Sequence, residues 1–255
     1  MTAELISNTA VNNEIFRLEF VLNGPPPKAG QFYMIRPRRS SVLLGRPISA
    51  AGWKGGAVHF LIAKKGRGTE DLSLMRSGEA AELIGPRGNA WNDFFPASGD
   101  DKKIALIGGG IGLAPLEALL TEMPDTVFDF YAGFRGSFRD GAERCGILGP
   151  ALSGCSSGKL IIATEDGSEG LKGRIPDFLD TKNYAVIFAC GPEAMLKAVA
   201  ERCKKTGTPC YVSMERRMAC GVGACLGCTI KTTRGNKRCC ADGPIFPAEE
   251  ILFDE

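Results

Sequence analysis

The sequence contains a single histidine, His59, among its 255 residues. A hydrolase with a Ser–His–Asp triad would depend on that one side chain, which lies in a predicted strand, so we do not expect triad chemistry. The sequence also lacks an excess of charge of one sign, because 31 Lys and Arg residues face 29 Asp and Glu residues and leave a net charge of +2. This balance gives no reason to expect nucleic acid or an anionic membrane surface as a partner.

Long apolar runs are missing as well. The longest run, at residues 104–120, is interrupted by glycines, Pro115 and Glu117, so no membrane-spanning helix is expected. No basic stretch followed by an apolar stretch comes after Met1, so we expect no secretory signal and a cytoplasmic protein. With 44% hydrophobic residues the chain can nevertheless bury a substantial core, which excludes the disordered classes.

Glycine and cysteine are the residues in surplus. Glycine occupies 33 of the 255 positions, nearly twice its usual share of about 7%, which indicates many turns and close approaches of the backbone to ligands. Half of the 10 cysteines fall in one short segment, namely Cys220, Cys225, Cys228, Cys239 and Cys240. A secreted disulfide framework would spread its cysteines along the chain, so a cytosolic metal site is the better interpretation.

Residues 1–98 are predicted to form a small antiparallel β-barrel. The candidate strands at 15–22, 31–36 and 57–63 are short and are separated by turns rich in glycine and proline, a pattern typical of such barrels. A polar stretch at 96–103 then predicts a linker.

Residues 99–210 are predicted to form a nucleotide-binding α/β domain. Apolar strands alternate there with helices, and the predicted strands lie at 104–107, 127–132, 160–163 and 185–189 with helices at 113–122 and 193–205. This alternation is typical of a parallel sheet that is buried on both faces. Residues 211–255 are rich in glycine and cysteine and show no clear periodicity. We predict that they form a metal-binding module whose fold depends on the bound metal.

The cysteine motif Cys220-x4-Cys225-x2-Cys228 has the spacing of plant-type [2Fe–2S] loops. Three thiolates must converge on a small cluster, and the intervening glycines let the chain wrap while backbone N–H groups point at the sulfurs. The fourth ligand is either Cys239 or Cys240. A structural zinc site and a redox dithiol at Cys225 and Cys228 are the alternative interpretations, but the spacing favours the cluster.

Two short motifs in the predicted barrel indicate a flavin phosphate site. The first consists of Arg46, Pro47, Ile48 and Ser49. Its arginine can present a fork to a pyrophosphate while the serine bonds an edge of the flavin ring. The second motif has Gly68 and Thr69 at the start of a predicted helix, whose first N–H groups can bind an anion. Each motif alone is compatible with an ordinary turn or with an N-cap at Thr69.

Two further motifs follow apolar strands of the predicted parallel sheet. The first contains Gly108, Gly109, Gly110 and Gly112, and the second contains Cys190, Gly191 and Pro192. Because ligands of open α/β sheets bind at the carboxyl ends of the strands, both predict a dinucleotide site with Cys190 near the nicotinamide. A plain βα turn and a buried small thiol are the alternatives.

The order of these motifs resembles the ferredoxin–NADP reductase superfamily. The stretch from Met214 to Cys228, followed by Cys240-Ala241-Asp242-Gly243-Pro244, looks like the electron-transfer subunits of dihydroorotate dehydrogenase B. The resemblance covers essentially the whole chain. It implies FAD on the barrel, NAD(H) on the parallel sheet and a [2Fe–2S] cluster, and it selects Cys240 as the fourth ligand.

The resemblance also implies a flavin contact at Leu61, Ile62 and Ala63. Ile62 and Ala63 stand where this branch often has an aromatic residue and an arginine, so one flavin phosphate contact is expected to be lost. Arg135 and Arg139 add positive charge near a possible site for the 2′-phosphate of NADP, so a preference for NADP stays an alternative. The preference for NAD is implied by the family alone.

The function implied by the resemblance is electron transfer in pyrimidine biosynthesis. Electrons would run from the FMN of a catalytic dihydroorotate dehydrogenase subunit to the cluster, then to FAD and NAD+, in a heterotetramer with two copies of each chain. Because a TIM barrel alone takes about 250 residues, oxidation of dihydroorotate is expected on the partner. The apolar tail around Ile245, Phe246 and Leu252 either forms that interface or packs on this chain.

Two other functions stay open at this point. A related FAD and [2Fe–2S] subunit of a ferredoxin-dependent NAD(P) oxidoreductase would share most motifs, but such relatives tend to carry Asp in place of the first cluster cysteine, here Cys220. A zinc-stabilised interaction module without enzymatic activity is the third interpretation, and the cysteine spacing disfavours it.

Overall fold

The computed structural model describes residues 1–96, 103–137 and 158–253. Most of the predicted linker, together with Arg139, Cys145 and Cys155, lies outside the described residues. The described residues form a closed barrel, a seven-stranded sheet and a two-stranded hairpin.

Six antiparallel strands close the amino-terminal barrel. They are β1 (Thr2–Ala10), β2 (Ile15–Val21), β3 (Phe32–Pro37), β4 (Arg46–Lys54), β5 (Ala57–Ala63) and β6 (Ala80–Arg87). Their order around the barrel is β1-β2-β5-β4-β3-β6, and the short helix α1 (Arg67–Ser73) connects β5 to β6. Because successive side chains of a strand point to opposite faces, Leu18, Phe20 and Phe60 enter one buried core.

The larger sheet is parallel except at one edge. Its first strands are β7 (Lys103–Gly109), β8 (Phe128–Phe134), β9 (Leu160–Thr164), β10 (Leu171–Lys172), β11 (Tyr184–Cys190) and β12 (Cys210–Ser213). Helix α2 (Ala114–Glu122) follows β7, and helix α3 (Glu193–Thr206) follows β11. All seven residues of β11 are buried, as expected for a central parallel strand with both faces covered.

The carboxyl-terminal residues are partly built into this sheet. The strands β13 (Thr229–Thr232) and β14 (Gly235–Arg238) pair as a hairpin, and β15 (Ile245–Pro247) then pairs antiparallel with β12. The complete order is β10-β9-β8-β7-β11-β12-β15. Strand β12 therefore spans the predicted boundary at residue 210, and the division of the chain at residues 98 and 210 stays a prediction.

The apolar tail divides between the core and the surface. Ile245 and Phe246 are 1% and 4% exposed and belong to the cores on the two sides of the sheet, whereas Leu252 is 50% exposed. The first two side chains therefore pack on this chain and are not available to a partner.

The predicted fold class is confirmed, with differences at short elements. The predicted strand at 57–63 coincides with β5, and the predicted helix at 193–205 coincides with α3 to within one residue. Strands β13 to β15 have only three or four residues, too few to show a period in the sequence. Among the described residues, no helix is both long and apolar enough to cross a membrane.

Buried polar contacts join the barrel to the sheet. The indole Nε1 of the fully buried Trp91 donates to the carbonyl of Pro115 at 3.1 Å. Arg17 of β2 pairs with Glu117 of α2 at 3.1 Å, and these side chains are 19% and 7% exposed. Burial raises the pKa of Glu117, and the nearby Arg17 opposes that rise. Arg17 therefore supplies the positive charge that compensates the buried carboxylate of Glu117.

We expect Arg17→Met to lower the free energy of unfolding by about 2–3 kcal/mol at neutral pH, because Glu117 stays buried without its cation. The raised pKa means that the folded state binds the proton of Glu117 more tightly than the unfolded state does. The stability from this proton is therefore fully present below about pH 4.3 and is lost as the pH rises through the folded pKa. The deficit of the variant should shrink on acidification, as urea unfolding at several pH values can measure.

The control for this experiment is Arg39→Met, because the Arg39 side chain is 91% exposed in its pair with Glu79. Its free energy of unfolding should change by less than about 0.5 kcal/mol. A deficit of Arg17→Met that grows as the pH falls contradicts the proposed dependence on Glu117.

Candidate cofactor sites

A cavity of about 740 Å³ opens where the barrel, the carboxyl edge of the sheet and the segment after β12 meet. The barrel side of its lining includes Arg46, Pro47, Ile48, Ser49, Leu61, Ile62, Ala63 and Thr69. The sheet side includes Ile111, Gly112, Ala114, Pro115 and Cys190. The volume lies in the range of sites for organic ligands. The cavity therefore brings together the flavin and nucleotide motifs that the sequence analysis singled out.

Arg46 lies directly against the first turn of α1. Its Nη1 atom donates to the carbonyls of Leu44 and Gly45 at 3.1 and 3.4 Å. A Cβ atom on Gly68 would lie 2.7 Å from the Arg46 Cζ atom, so the guanidinium occupies the space that any other residue at 68 would fill. The arginine fork and the first N–H groups of α1 thus face the same region, which suits a phosphate oxygen.

Thr69 has a local structural role beside its place in the cavity. Its hydroxyl donates to the carbonyl of Gly66 and accepts from the N–H of Lys65, both at 2.9 Å. The N-cap position belongs to Gly66, so the alternative of an N-cap at Thr69 is wrong. The hydroxyl closes the turn that presents the start of α1 to the cavity.

The turns after β7 and β11 touch each other through glycine. A Cβ atom on Gly112 would lie 2.5 Å from the carbonyl oxygen of Cys190, so any side chain there would separate the two turns. Of the predicted NAD residues, Gly112 and Cys190 line the cavity. The others lie behind them: Gly108 and Gly109 end strand β7, Gly110 follows it, and Gly191 and Pro192 follow β11.

Cys190 stays a neutral thiol. Burial raises its pKa far above the ordinary value, the nearby Glu215 raises it further, and a hydrogen bond with Ser213 opposes the rise. A buried neutral thiol is a weak nucleophile. Cys190 is therefore a small, buried and weakly nucleophilic thiol at the end of β11.

Four cysteines lie in two hydrogen-bonded pairs near the carboxyl terminus. The N–H of Cys225 donates to the sulfur of Cys220, and the N–H of Cys240 donates to the sulfur of Cys228, each at 3.4 Å. Among the described residues, no three His, Cys, Asp or Glu side chains gather tightly enough for a single metal ion. Two pairs suit a two-iron cluster, which divides four cysteines between its irons, better than one tetrahedral zinc ion.

Backbone amides point at the sulfurs of these pairs. The N–H of Val222 donates to Cys220 at 3.4 Å, and the N–H of Gly223 donates to Cys240 at 3.1 Å. Donation from Val222 and Cys225 lowers the pKa of Cys220 to about 6, toward the thiolate that binds iron. These amides can stabilise thiolates on Cys220 and Cys240, although burial raises the pKa of the Cys240 thiol to about 11.

Cys239 and Cys240 are buried in the same apolar core and differ in their hydrogen bonds. The sulfur of Cys240 accepts from the N–H of Gly223, and the N–H of Cys240 donates to the sulfur of Cys228. The N–H of Cys239 donates to the carbonyl of Cys228 instead. Burial raises the pKa of Cys239 to about 12 and that of Cys240 to about 11. Cys240 as the fourth ligand stays a prediction.

Comparison with known sequences identifies the family. The sequence profile of the iron–sulfur cluster binding domain of dihydroorotate dehydrogenase B matches residues 215–252. The dihydroorotate dehydrogenase B (NAD+) electron transfer subunit of Clostridium perfringens is 40% identical over 225 residues, which are 88% of this chain and 87% of that protein. The corresponding subunit of Clostridium acetobutylicum is 35% identical over 254 residues, which are 99% and 97% of the two chains.

The chain belongs to the family of dihydroorotate dehydrogenase B electron transfer subunits. Solved structures share its fold. An NADH-dependent reduced ferredoxin–NADP oxidoreductase superposes with a TM-score of 0.79 at 24% identity, covering 99% of this chain and 90% of that chain. A ferredoxin–NADP+ reductase from Neisseria gonorrhoeae superposes with a TM-score of 0.66 at 17% identity, covering 86% and 94%.

Sequence reasoning missed one wall of the cavity of this family member. Residues 213–218, which run from the end of β12 toward the first cluster cysteine, contribute Ser213, Met214, Glu215, Arg216, Arg217 and Met218. Arg216 is held by an ion pair with Glu193 of α3 at 2.8 Å. The one sequence feature that could have indicated this wall is the family motif that begins at Met214. That motif predicts the cluster segment, and β12 before it is too short to be recognised by periodicity.

We expect Gly68→Ala to weaken FAD binding about tenfold to a hundredfold, because the new Cβ displaces the Arg46 guanidinium from a charge-assisted contact. Alanine is the better helix former, so the stability of the flavin-free protein should not fall. Fluorescence titration of FAD onto the flavin-free protein measures the affinity.

Gly66→Ala is the matched control, because a Cβ at Gly66 meets no atom within 4 Å and the backbone there is extended. It should leave the FAD affinity within about twofold. Equal FAD affinities in the two variants would contradict the placement of Arg46 in the FAD site.

Proposed function

We propose that this chain passes electrons from the FMN of a dihydroorotate dehydrogenase catalytic subunit to NAD+. The observation that carries the proposal is one cavity bounded by the flavin motif, the nucleotide edge of the sheet and the segment that leads into Cys220. When bound, FAD exchanges a hydride with the nicotinamide and single electrons with the [2Fe–2S] cluster. The names of the relatives specify NAD+, which favours NAD over NADP.

The barrel residues bind and orient the FAD in this proposal. Arg46 and the start of α1, with Gly68 and Thr69, hold the pyrophosphate. Ser49 hydrogen-bonds an edge of the flavin ring. The apolar residues Pro47, Ile48, Leu61, Ile62 and Ala63 pack against the flavin and exclude water from it.

The sheet residues bring the nicotinamide to the flavin. Gly112 and Cys190 are small, so a flat ring can lie close to the carboxyl ends of β7 and β11. The end of β7 at Gly108 and Gly109, and the residues Gly110, Gly191 and Pro192 that follow β7 and β11, support that surface. Hydride transfer needs alignment rather than an acid or base, and the neutral thiol of Cys190 agrees with such a role.

The ligands of the cluster in this proposal are Cys220, Cys225, Cys228 and Cys240. Cys228 and Cys240 are buried, whereas Cys225 is exposed, so the cluster segment has an inner and an outer side. The amides of Val222 and Gly223 stabilise the negative charge that four thiolates and two sulfides carry.

The outer side of the cluster segment is the proposed contact with the catalytic subunit. Leu226 and Val222, next to the exposed Cys225, are 62% and 49% exposed. Exposed apolar side chains that surround a redox centre mark a protein interface. A heterotetramer with two copies of each chain is the proposed assembly, and light scattering of the purified complex measures its mass.

The second candidate function is a subunit of a ferredoxin-dependent NAD(P) oxidoreductase. Its support is the shared fold with an NADH-dependent reduced ferredoxin–NADP oxidoreductase. The dihydroorotate dehydrogenase function is preferred because relatives up to 40% identical carry that name and because Cys220 is present. The cavity and the two cysteine pairs disfavour a zinc-stabilised module without activity.

We expect the purified complex of this chain with an FMN-containing dihydroorotate dehydrogenase to produce orotate and NADH in equal amounts from dihydroorotate and NAD+. Each chain alone should fail, because the substrate site and the nucleotide site lie on different subunits. Absorbance of NADH and chromatography of orotate measure the two products. Turnover of dihydroorotate by the isolated chain, or reduction of NAD+ only with reduced ferredoxin, would overturn the proposal.

The same assay tests the contact surface. Leu226 has a left-handed backbone with φ of 59°, which aspartate tolerates, so Leu226→Asp adds a charge without backbone strain. It should weaken the complex, whereas Leu74→Asp at a 76% exposed position of the barrel should not.

The cluster ligands have their own test. Cys240→Ala should abolish or shift the EPR spectrum of the reduced cluster and lower the iron content, because one iron loses a thiolate. Cys239→Ala should leave both unchanged, since the proposed ligand set does not include Cys239. The reverse result would assign the fourth ligand to Cys239.

A further inference from the structure

Asn89 clamps the segment that follows the last cluster cysteine. Its side-chain Nδ2 donates to the carbonyl of Ile245 at 2.8 Å, and its Oδ1 accepts from the N–H of Ile245 at 3.0 Å. Its own N–H donates to the carbonyl of Gly243 at 2.8 Å. The side chain thus pairs with both backbone groups of one residue, as a neighbouring strand would, along the outer edge of β15.

The segment that Asn89 clamps connects the last cluster cysteine to the cavity and to the large sheet. It begins at Cys240, and Pro244 lines the cavity. The carbonyl of Pro244 accepts from the N–H of Met214 at 2.9 Å, which ties the segment to the other wall of the cavity. Residues 245–247 then enter the large sheet as β15. A shift of this segment would therefore move Cys240 relative to the cavity.

Asn89 itself is anchored to the barrel. It follows β6, whose Arg87 is paired in register with Phe32, a residue of the cavity lining. The preceding Gly88 accepts a hydrogen bond from the side chain of Gln31 at 2.9 Å. A Cβ on Gly88 would lie 2.5 Å from Pro244 Cδ, so the barrel and the clamped segment are in direct contact.

We infer that Asn89 is a positioning residue that fixes the distance between the cluster segment and the FAD site. The inference rests on the proposed function. Electron tunnelling slows steeply with distance, so the transfer between the two cofactors depends on how rigidly Cys240 is held against the barrel. The hydride step depends on Arg46, Gly112 and Cys190 instead. The Arg46 guanidinium donates to the carbonyls of Leu44 and Gly45, whereas the Asn89 side chain bonds Ile245.

The test uses the holo-chain carrying its FAD and cluster, mixed rapidly with NADH. Absorbance separates the bleaching of the flavin from the slower bleaching of the cluster. In Asn89→Ala, the flavin phase should keep its rate, and the cluster phase should slow severalfold, since electron transfer falls steeply as the two cofactors move apart. Amide hydrogen exchange at Ile245, followed by mass spectrometry, should accelerate in the same variant.

Two further variants keep the inference falsifiable. Asn89→Asp retains the acceptor for the N–H of Ile245 but sets a carboxylate oxygen against the carbonyl of Ile245, so both measurements should change in the same direction as in Asn89→Ala. Asn92→Ala is the control from the same loop, because the exposed Asn92 bonds Glu122 of α2 at 2.7 Å instead of β15. It should match the wild type.

An unchanged cluster phase in a folded Asn89 variant overturns the inference, and so does an equal slowing of both phases or unchanged exchange at Ile245. If Asn89→Ala does not fold, the same criteria apply to Asn89→Asp. Failure of the proposed function has a different signature. Either the wild type itself shows no flavin or cluster bleaching with NADH, or it bleaches normally and its complex with dihydroorotate dehydrogenase makes no orotate and NADH. In both cases the exchange at Ile245 still decides whether Asn89 clamps the segment.

Discussion

Close approach of the backbone at three glycines is the constraint on which the cofactor region depends. Gly68 leaves room for Arg46, Gly112 lets one sheet turn lie against Cys190, and Gly221 lets the cluster loop lie against Met34. A gap of less than an ångström already forfeits a sizeable part of a packing contact. A methyl group at position 68 would therefore displace the Arg46 side chain, and one at position 112 or 221 would push apart the packed elements beside the cavity and the cluster segment.

The cluster segment gives the electron path a direction. Its buried cysteines, Cys228 and Cys240, lie on the side that continues through Pro244 to the cavity, whereas the exposed Cys225 and Leu226 face outward. In the proposed electron path, the first side faces the FAD site and the second faces the partner. Backbone N–H groups at both cysteine pairs stabilise their negative charge, and the Arg238 guanidinium lies close enough that Cys228 and Cys240 raise its pKa.

Most of the fold could be predicted because its signals are local. The run of seven apolar residues in β11 and the periodicity of α3 each extend over enough positions to identify the element. The short strands β12 and β15 carry no such signal, and their place in the sheet depends on pairing between residues more than 30 positions apart, such as Val212 with Phe246. For the same reason residues 213–218 were not recognised as a wall of the cavity.

The sequence by itself determined which chemistry the chain can hold: the spacing of Cys220, Cys225 and Cys228 and the order of the flavin and nucleotide motifs are properties of neighbouring residues. The tertiary structure alone decided the surroundings of Cys239 and Cys240, the burial of Ile245 and Phe246, and the clamp at Asn89. These features arise where the barrel packs on the sheet and joins residues as many as 156 positions apart. No local pattern encodes such contacts, because each depends on the shape of both packed surfaces.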